Sequence, residues 1–328
     1  MQKITQDTLI AKAKELMENG TVDRVFGWKK GNFDYDLTPA VFYNASDLEE
    51  FIFSDFSGAN FSKYLIKETK KSEGKVLVFL KPCDTYSFNQ LLTEHRFDKE
   101  KVYAVGIPCD GMVDVRKIKN TVGDGVVSID STSDTLKIDT LYDGVRSIDK
   151  KDVLQERCIN CKSKKHVYYD ELIGEDGQVL DNNRFDQVAK LESMSADERF
   201  AFWQNELSRC IRCNACRDVC PACTCEKCVF DNPNSGVENK SPANEFEEKL
   251  FHIIRAFHVA GRCTDCGECS RVCPSNIPLH LLNRKFIKDI NSFYGDYQAG
   301  EEVGSRAPLT NYTKEDLEPA QAVEKGDK

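Results

Sequence analysis

The spacing of apolar positions divides the chain into segments of different period. Residues 6–19 carry apolar side chains at helical spacing and stop at Gly20, which predicts a helix closed by glycine. AVFYN (40–44) predicts a strand, and Ser46 with Glu49 has the spacing of a capping box for a short helix through Phe53. A second helix is expected near 60–71. GKVLVFL (74–80) is short, apolar and β-branched, the pattern of a buried strand. Helical periodicity follows in KPCDTYSFNQLLTEH from about residue 84. KVYAVGI (101–107) repeats the strand pattern and is followed by PCDGMVDVRKIK. Residues 75–119 therefore use one design twice: strand, Pro-Cys-Asp, helix. That alternation predicts a parallel α/β sheet, with Cys83 and Cys109 at the carboxyl ends of its strands.

Further on, 126–139 reads as a small hairpin and CINCKSKKH (158–166) as a loop. From about 184 the pattern turns helical, and a second capping box, Ser195 with Glu198, opens a helix that should reach Ser208. Phe246, Leu250, Ile253, Ile254 and Phe257 fall on one helix face, and LHLLNRKFIKDI predicts a last helix. Beyond Asp296 the composition shifts to Gly, Pro, Ala and acidic charge. The expected organisation is an α/β domain over 1–185, an all-α domain over 186–295 and a flexible acidic tail over 296–328.

Charge and length narrow the function classes. A net charge of −9 over 328 residues disfavours non-specific nucleic-acid binding. No apolar run approaches the roughly 18 residues of a membrane helix. The N-terminus lacks a signal-peptide pattern, so a cytoplasmic location is expected. Fifteen cysteines change the picture most. They are bunched, without a secretory signal, which favours metal binding over a disulfide framework.

Residues 210–228, CIRCNACRDVCPACTCEKC, hold seven cysteines in 19 positions. Cys210, Cys213, Cys216 and Cys220 fit C-x2-C-x2-C-x3-C with Pro221 next, and Cys263, Cys266, Cys269 and Cys273 repeat it with Pro274 next. In such dicluster runs three thiolates hold one [4Fe-4S] cluster and the fourth holds the other. The assignment is Cys210, Cys213, Cys216 and Cys273 for cluster 1, and Cys263, Cys266, Cys269 and Cys220 for cluster 2. Zinc sites use two well-separated C-x2-C pairs, a poorer match. The 42 residues between the runs include a helix. This arrangement over about 195–295 resembles the α-helical ferredoxin domains of fumarate reductase and heterodisulfide reductase subunits.

KPCDTYSF, VGIPCDGMVD and CINC, over roughly 70–170, resemble three marks of the coenzyme F420 hydrogenase/dehydrogenase beta-subunit family. That resemblance implies a third [4Fe-4S] cluster on Cys83, Cys109, Cys158 and Cys161, in a family where the cluster lies close to a flavin. The alternative keeps Cys83 and Cys109 as buried structural thiols. No G-x-G-x-x-G follows a strand and CINC is followed by Lys-Ser-Lys-Lys-His, so flavin on this chain is not favoured. The α/β front and dicluster rear together also resemble iron–sulfur subunits of anaerobic sulfite reductase and sulfhydrogenase. Cys223, Cys225 and Cys228 are left as ligands of a further centre, as alternative ligands, or as reactive thiols.

His252 and His258 are six residues apart and read as helix-surface histidines, and the KSKKH loop with His166 reads as solvated charge. Arg209, Arg212, Arg217, Arg262 and Arg271 punctuate the cysteine runs, where cations tune cluster potentials. No residue stands out as a substrate-converting group. The expected function is iron–sulfur electron transfer in a soluble anaerobic complex, between a flavoprotein and a hydrogenase, dehydrogenase or heterodisulfide-reductase-like partner. A flavin-containing subunit oxidising reduced F420 or NAD(P)H and a zinc-stabilised binding module are the alternatives.

Overall fold

The computed structural model describes residues 4–162, 164–178, 183–231 and 245–308, with backbone only at 245–248. Ser163, the Phe246 side chain and the tail beyond 308 lie outside the described residues.

The first part is built on strands β1 (Arg24–Lys30), β2 (Leu37–Phe42), β3 (Val76–Leu80), β4 (Val102–Gly106) and a short β8 (Glu171–Leu172). Their order is β2-β1-β3-β4-β8; β1, β3, β4 and β8 run parallel and β2 pairs antiparallel at the edge. Every residue of β3 is buried, as an inner strand covered on both faces requires. Helices α1 (Gln6–Glu18), α2 (Ser62–Glu68) and α3 (Pro82–Thr93) belong to this part. Leu9, Ala13 and Leu16 of α1 share the sheet's core with Phe61 and Leu65 of the α2 region.

Strands β5 (Val126–Asp130), β6 (Thr135–Thr140) and β7 (Gly144–Asp149) form a separate antiparallel sheet, preceded by α4 (Val115–Val122). The hairpin expected at 126–139 thus has a third strand. Gly144, at φ +67°, takes the left-handed turn into β7, a strand without a buried apolar stripe to announce it. The short helix near 45–50 is capped by Asp47, whose Oδ2 accepts from the Asn44 N–H at 3.1 Å, rather than by Ser46 and Glu49.

The remaining helices are α5 (Glu156–Ile159), α6 (Asp186–Glu192), α7 (Ala196–Ser208), α8 (Ala215–Asp218), α9 (Glu245–His258), α10 (Glu268–Arg271) and α11 (Leu279–Tyr294). The Ser195/Glu198 capping box opens α7 as expected. On α9 the expected apolar face is only partly the inner one: Leu250 and Ile254 are half-buried, and Ile254 packs into the core of the helical part. Ile253 and Phe257 are exposed, while Phe251, His252, Arg255 and Ala256 are buried. The inner face meets the cysteine loops, so it carries His252 and Arg255 beside the apolar Phe251 and Ala256.

The chain beyond α11 does not leave the body at Asp296. Gln298 and Ala299 are buried, Tyr297 donates its hydroxyl to the Gly261 carbonyl, and a Cβ at Gly300 would meet the Tyr86 carbonyl oxygen. Flexibility from 296 onward is corrected for this docked stretch: a glycine at φ +77° lets backbone approach backbone. Among the described residues, no helix is long and apolar enough to cross a membrane.

Candidate metal centres

The two cysteine runs fold alike. Arg212 and Asn214 in the first take positive φ, and so do Asp265 and Gly267 at the matching places in the second. These left-handed turns coil each run inward before a one-turn helix, α8 or α10, carries the next cysteine. For non-glycine residues such conformations cost about 1–3 kcal/mol each and persist where the surroundings fix them. Backbone N–H groups then point at sulfur: Arg212 N lies 3.4 Å from Cys210 Sγ and Ile277 N 3.4 Å from Cys273 Sγ.

Cys210, Cys213, Cys216 and Cys273 line one recess of about 320 Å³, open side included, with Phe251 and His252. Cys216, Cys269 and Cys273 are buried in a common apolar cluster beside it. Cys220 is the neighbour that Cys263, Cys266 and Cys269 share, and Cys263 packs with Cys220 and Cys223. The fourth cysteine of each run therefore lies with the first three of the other. Burial pushes the Cys216 thiol up to about 12 and raises Cys263 well above its ordinary value. Such thiols ionise when a metal takes the proton's place. The run of thiols, inward N–H groups and recess fits an iron–sulfur group, which would supply one-electron chemistry when bound.

A third recess, about 560 Å³ with its open side included, is lined by Cys83, Cys109, Cys158 and Cys161. Four separate elements bring these thiols together. Pro82 is the first residue of α3, at the carboxyl end of β3. Cys109 follows β4, Cys158 sits in α5, and Cys161 in the loop after it. The Met112 N–H points at Cys158 Sγ at 3.4 Å. Burial raises Cys83 well above its ordinary value and takes Cys109 to about 11. Lys81 is buried beneath, its Nζ 2.7 Å from Asp84 Oδ2 and 3.0 Å from the Ala59 carbonyl. Among the described residues no His, Cys, Asp or Glu trio closes tightly enough for a single metal ion. The thiols instead surround larger spaces.

The recesses adjoin. Cys266 and Asp265 line the third recess as well as belonging to the second run. Arg157, next to Cys158, donates to the Cys266 carbonyl at 2.7 Å and to the Gly58 carbonyl at 2.6 Å.

The Cys223 thiol lies beside Cys220, and that contact with the nearby Arg255 guanidinium lowers Cys220 from its ordinary value. Cys228 is bonded by Arg217, and Cys225 is exposed. None of these three lines the recesses described above.

His252 is not a surface histidine: it is buried, with Nε2 3.3 Å from Cys210 Sγ. Burial, then Arg255 and Arg212, lowers it to about 3, so the ring is neutral. With Cys210 ionised, the Nε2–H donates to sulfur. His258 is exposed as expected. His166 is not solvated either: its ring lies between Asp176 and the Leu80 carbonyl, 3.0 Å from Nε2. Of the five arginines expected near the clusters, Arg212 lines the Cys210 recess and stacks 4.1 Å from the Phe251 ring centroid. Arg209, Arg217, Arg262 and Arg271 instead pair with Glu206, Asp231, Glu94 and Glu268. The cations missed from sequence are Arg157 and Arg255. The signal for Arg255 was its place three residues after His252, on the polar face of α9.

Residues 206–277 match the family model of a 4Fe-4S dicluster domain. Across most of its length the chain is similar to the F420-dependent formate dehydrogenase subunit beta of Methanocaldococcus jannaschii. The two are 23% identical over 84% of this chain and 87% of the relative. The F420-dependent formate dehydrogenase 1 subunit beta of Methanococcus maripaludis is 25% identical over 90% and 92%. A chain of the F420-reducing [NiFe] hydrogenase complex of Methanosarcina barkeri aligns with TM-score 0.35 and 17% identity. That alignment covers 48% of this chain and 64% of the other, under two-thirds of its length. The likeness to F420 hydrogenase/dehydrogenase beta subunits is borne out and extends beyond residues 70–170.

Proposed function

We propose that this chain is the iron–sulfur electron-transfer subunit of an F420-dependent dehydrogenase- or hydrogenase-type complex, and that it carries three [4Fe-4S] clusters in a row. Cys83, Cys109, Cys158 and Cys161 hold the first in the α/β domain (1–185). Cys263, Cys266, Cys269 and Cys220 hold the second, and Cys210, Cys213, Cys216 and Cys273 the third, in the helical domain (186–295). The observation that carries the order is the position of Cys266, which lines the recess of the α/β thiols and belongs to the neighbouring set. An electron then has a door at each end. One is the Lys162 and Lys164 rim of the α/β recess, the other the exposed Cys213. Redox partner subunits, a flavoprotein and a dehydrogenase or hydrogenase, take the two doors, and substrate chemistry happens on them.

Iron, acid-labile sulfide, zinc and flavin per chain, measured on protein purified without oxygen, test this reading. About twelve iron with equal sulfide and no flavin supports it. About eight removes the cluster of the α/β domain. Stoichiometric flavin makes the chain an enzyme toward reduced F420 or a nicotinamide. Zinc without sulfide overturns electron transfer altogether.

A further inference from the structure

We infer that Arg255 is the shared counter-charge of the two clusters in the helical domain and sets both of their reduction potentials. The inference rests on the cluster reading above.

Five arginines are buried among the described residues. Four of them have a carboxylate partner: Arg24 with Glu68 at 3.5 Å, Arg157 with Glu268 at 2.6 Å, Arg184 with Asp265 at 3.6 Å and Arg284 with Asp265 at 2.8 Å. Arg255 is the exception. It is 4% exposed, its Nη2 donates to the Cys216 carbonyl at 3.0 Å, and its Nε has no hydrogen-bond partner among the described residues. Removing a guanidinium from water without a counter-charge costs several kcal/mol. The thiols of Cys220, Cys269, Cys216 and Cys223 face it, and so does the neutral His252 ring. Cys216 belongs to one set of ligands, and Cys220 and Cys269 to the other. The anions that balance Arg255 are therefore the thiolates of both clusters.

The functional consequence follows from charge. A cubane held by four thiolates is an anion, and reduction adds another negative charge to it. A fixed cation in a low-dielectric site favours that extra electron, and net charge around a cluster is one of the terms that set its potential. Because Arg255 lies between the sets, its charge acts on both. His252, one turn earlier on α9, is bonded to Cys210 and lines the recess of that set. The inner face of α9 thus carries one group for a single cluster and one for the pair.

The test is a potentiometric titration of the full anaerobic chain, followed by electron paramagnetic resonance. Wild type, Arg255→Gln and Arg255→Lys are compared. In Arg255→Gln the midpoints of both helical-domain clusters should move negative, each by at least a tenfold loss in the reduced-to-oxidised ratio, about 59 mV for one electron. Arg255→Lys, which keeps the charge, should stay within a few-fold of wild type. Two loaded clusters with unmoved midpoints in Arg255→Gln overturn the inference, and so does a shift of one cluster only. If Arg255→Gln fails to assemble clusters, the lysine variant decides. Two clusters at near wild-type midpoints support a charge role; loss of both clusters there overturns it in favour of packing. Absence of both signals from wild type would instead defeat the underlying cluster reading.

Discussion

Nη1 of Arg157 lies 2.6 Å from Oε1 of Glu268, with both side chains withdrawn from solvent. Arg157 neighbours Cys158 of the α/β set, and Glu268 neighbours Cys269 of the helical set. The pair therefore fastens the two thiol systems to each other. Glu268 also receives Arg271 at 2.7 Å and the Asn60 N–H at 3.2 Å. Removing one partner of a buried pair leaves the other charge stranded, at a cost of about 3–5 kcal/mol. Glu268→Gln should lower the urea midpoint of the folded chain accordingly. An unchanged midpoint would show that the junction holds by packing alone.

Cys161→Ser should remove about four iron per chain and leave the dicluster signals in place. Cys273→Ser should instead affect the cluster at Cys210, in another domain from its α/β counterpart. Electron paramagnetic resonance separates the two variants, because each should lose a different cluster signal. Loss of the same signal from both would deny that the α/β recess is an independent centre.

His252→Leu removes a side-chain donor to Cys210. Hydrogen bonds to sulfur stabilise the reduced cluster. The midpoint of the cluster at Cys210 should move negative while its neighbour stays. His252→Gln, which restores an N–H, should recover part of the shift.

His280 gives a pH dependence. It is buried, its Nδ1 is 2.9 Å from Ser270 Oγ, and burial followed by Arg284 lowers it from 6.5 to about 4. The unfolded chain thus binds the proton first. Stability from this group is complete above about pH 6.5 and declines as pH falls toward 4, by about 3 kcal/mol in all. Urea midpoints at pH 8 and pH 5.5 should differ more in wild type than in His280→Gln. Parallel slopes would remove His280 as the source.

Gly300→Ala tests the docked stretch after α11. A Cβ there would lie 1.9 Å from the Tyr86 carbonyl oxygen, at φ +77°. The variant should lose about 1–3 kcal/mol and become open to proteolysis near residue 300. Wild-type resistance in this variant would mean that the contact carries no stability.

The residues alone determined the strand–Pro-Cys–helix design around Cys83 and Cys109, the helical rear and the two cysteine runs. Each of these is written in local spacing: period, capping residues and thiols two or three positions apart. The grouping of Cys83 and Cys109 with Cys158 and Cys161 was accessible only through resemblance, because those cysteines come from four elements up to 78 positions apart. Apolar periodicity also misjudged α9. It placed Ile253 and Phe257 with Ile254 on the buried face, but only Ile254 packs inward; the interior includes cysteine loops, and it takes His252 and Arg255 as well. Tertiary structure alone decided which arginines find carboxylates and which one does not. Pairing is a property of chains that meet in space, and Arg157 meets Glu268 across 111 positions of sequence.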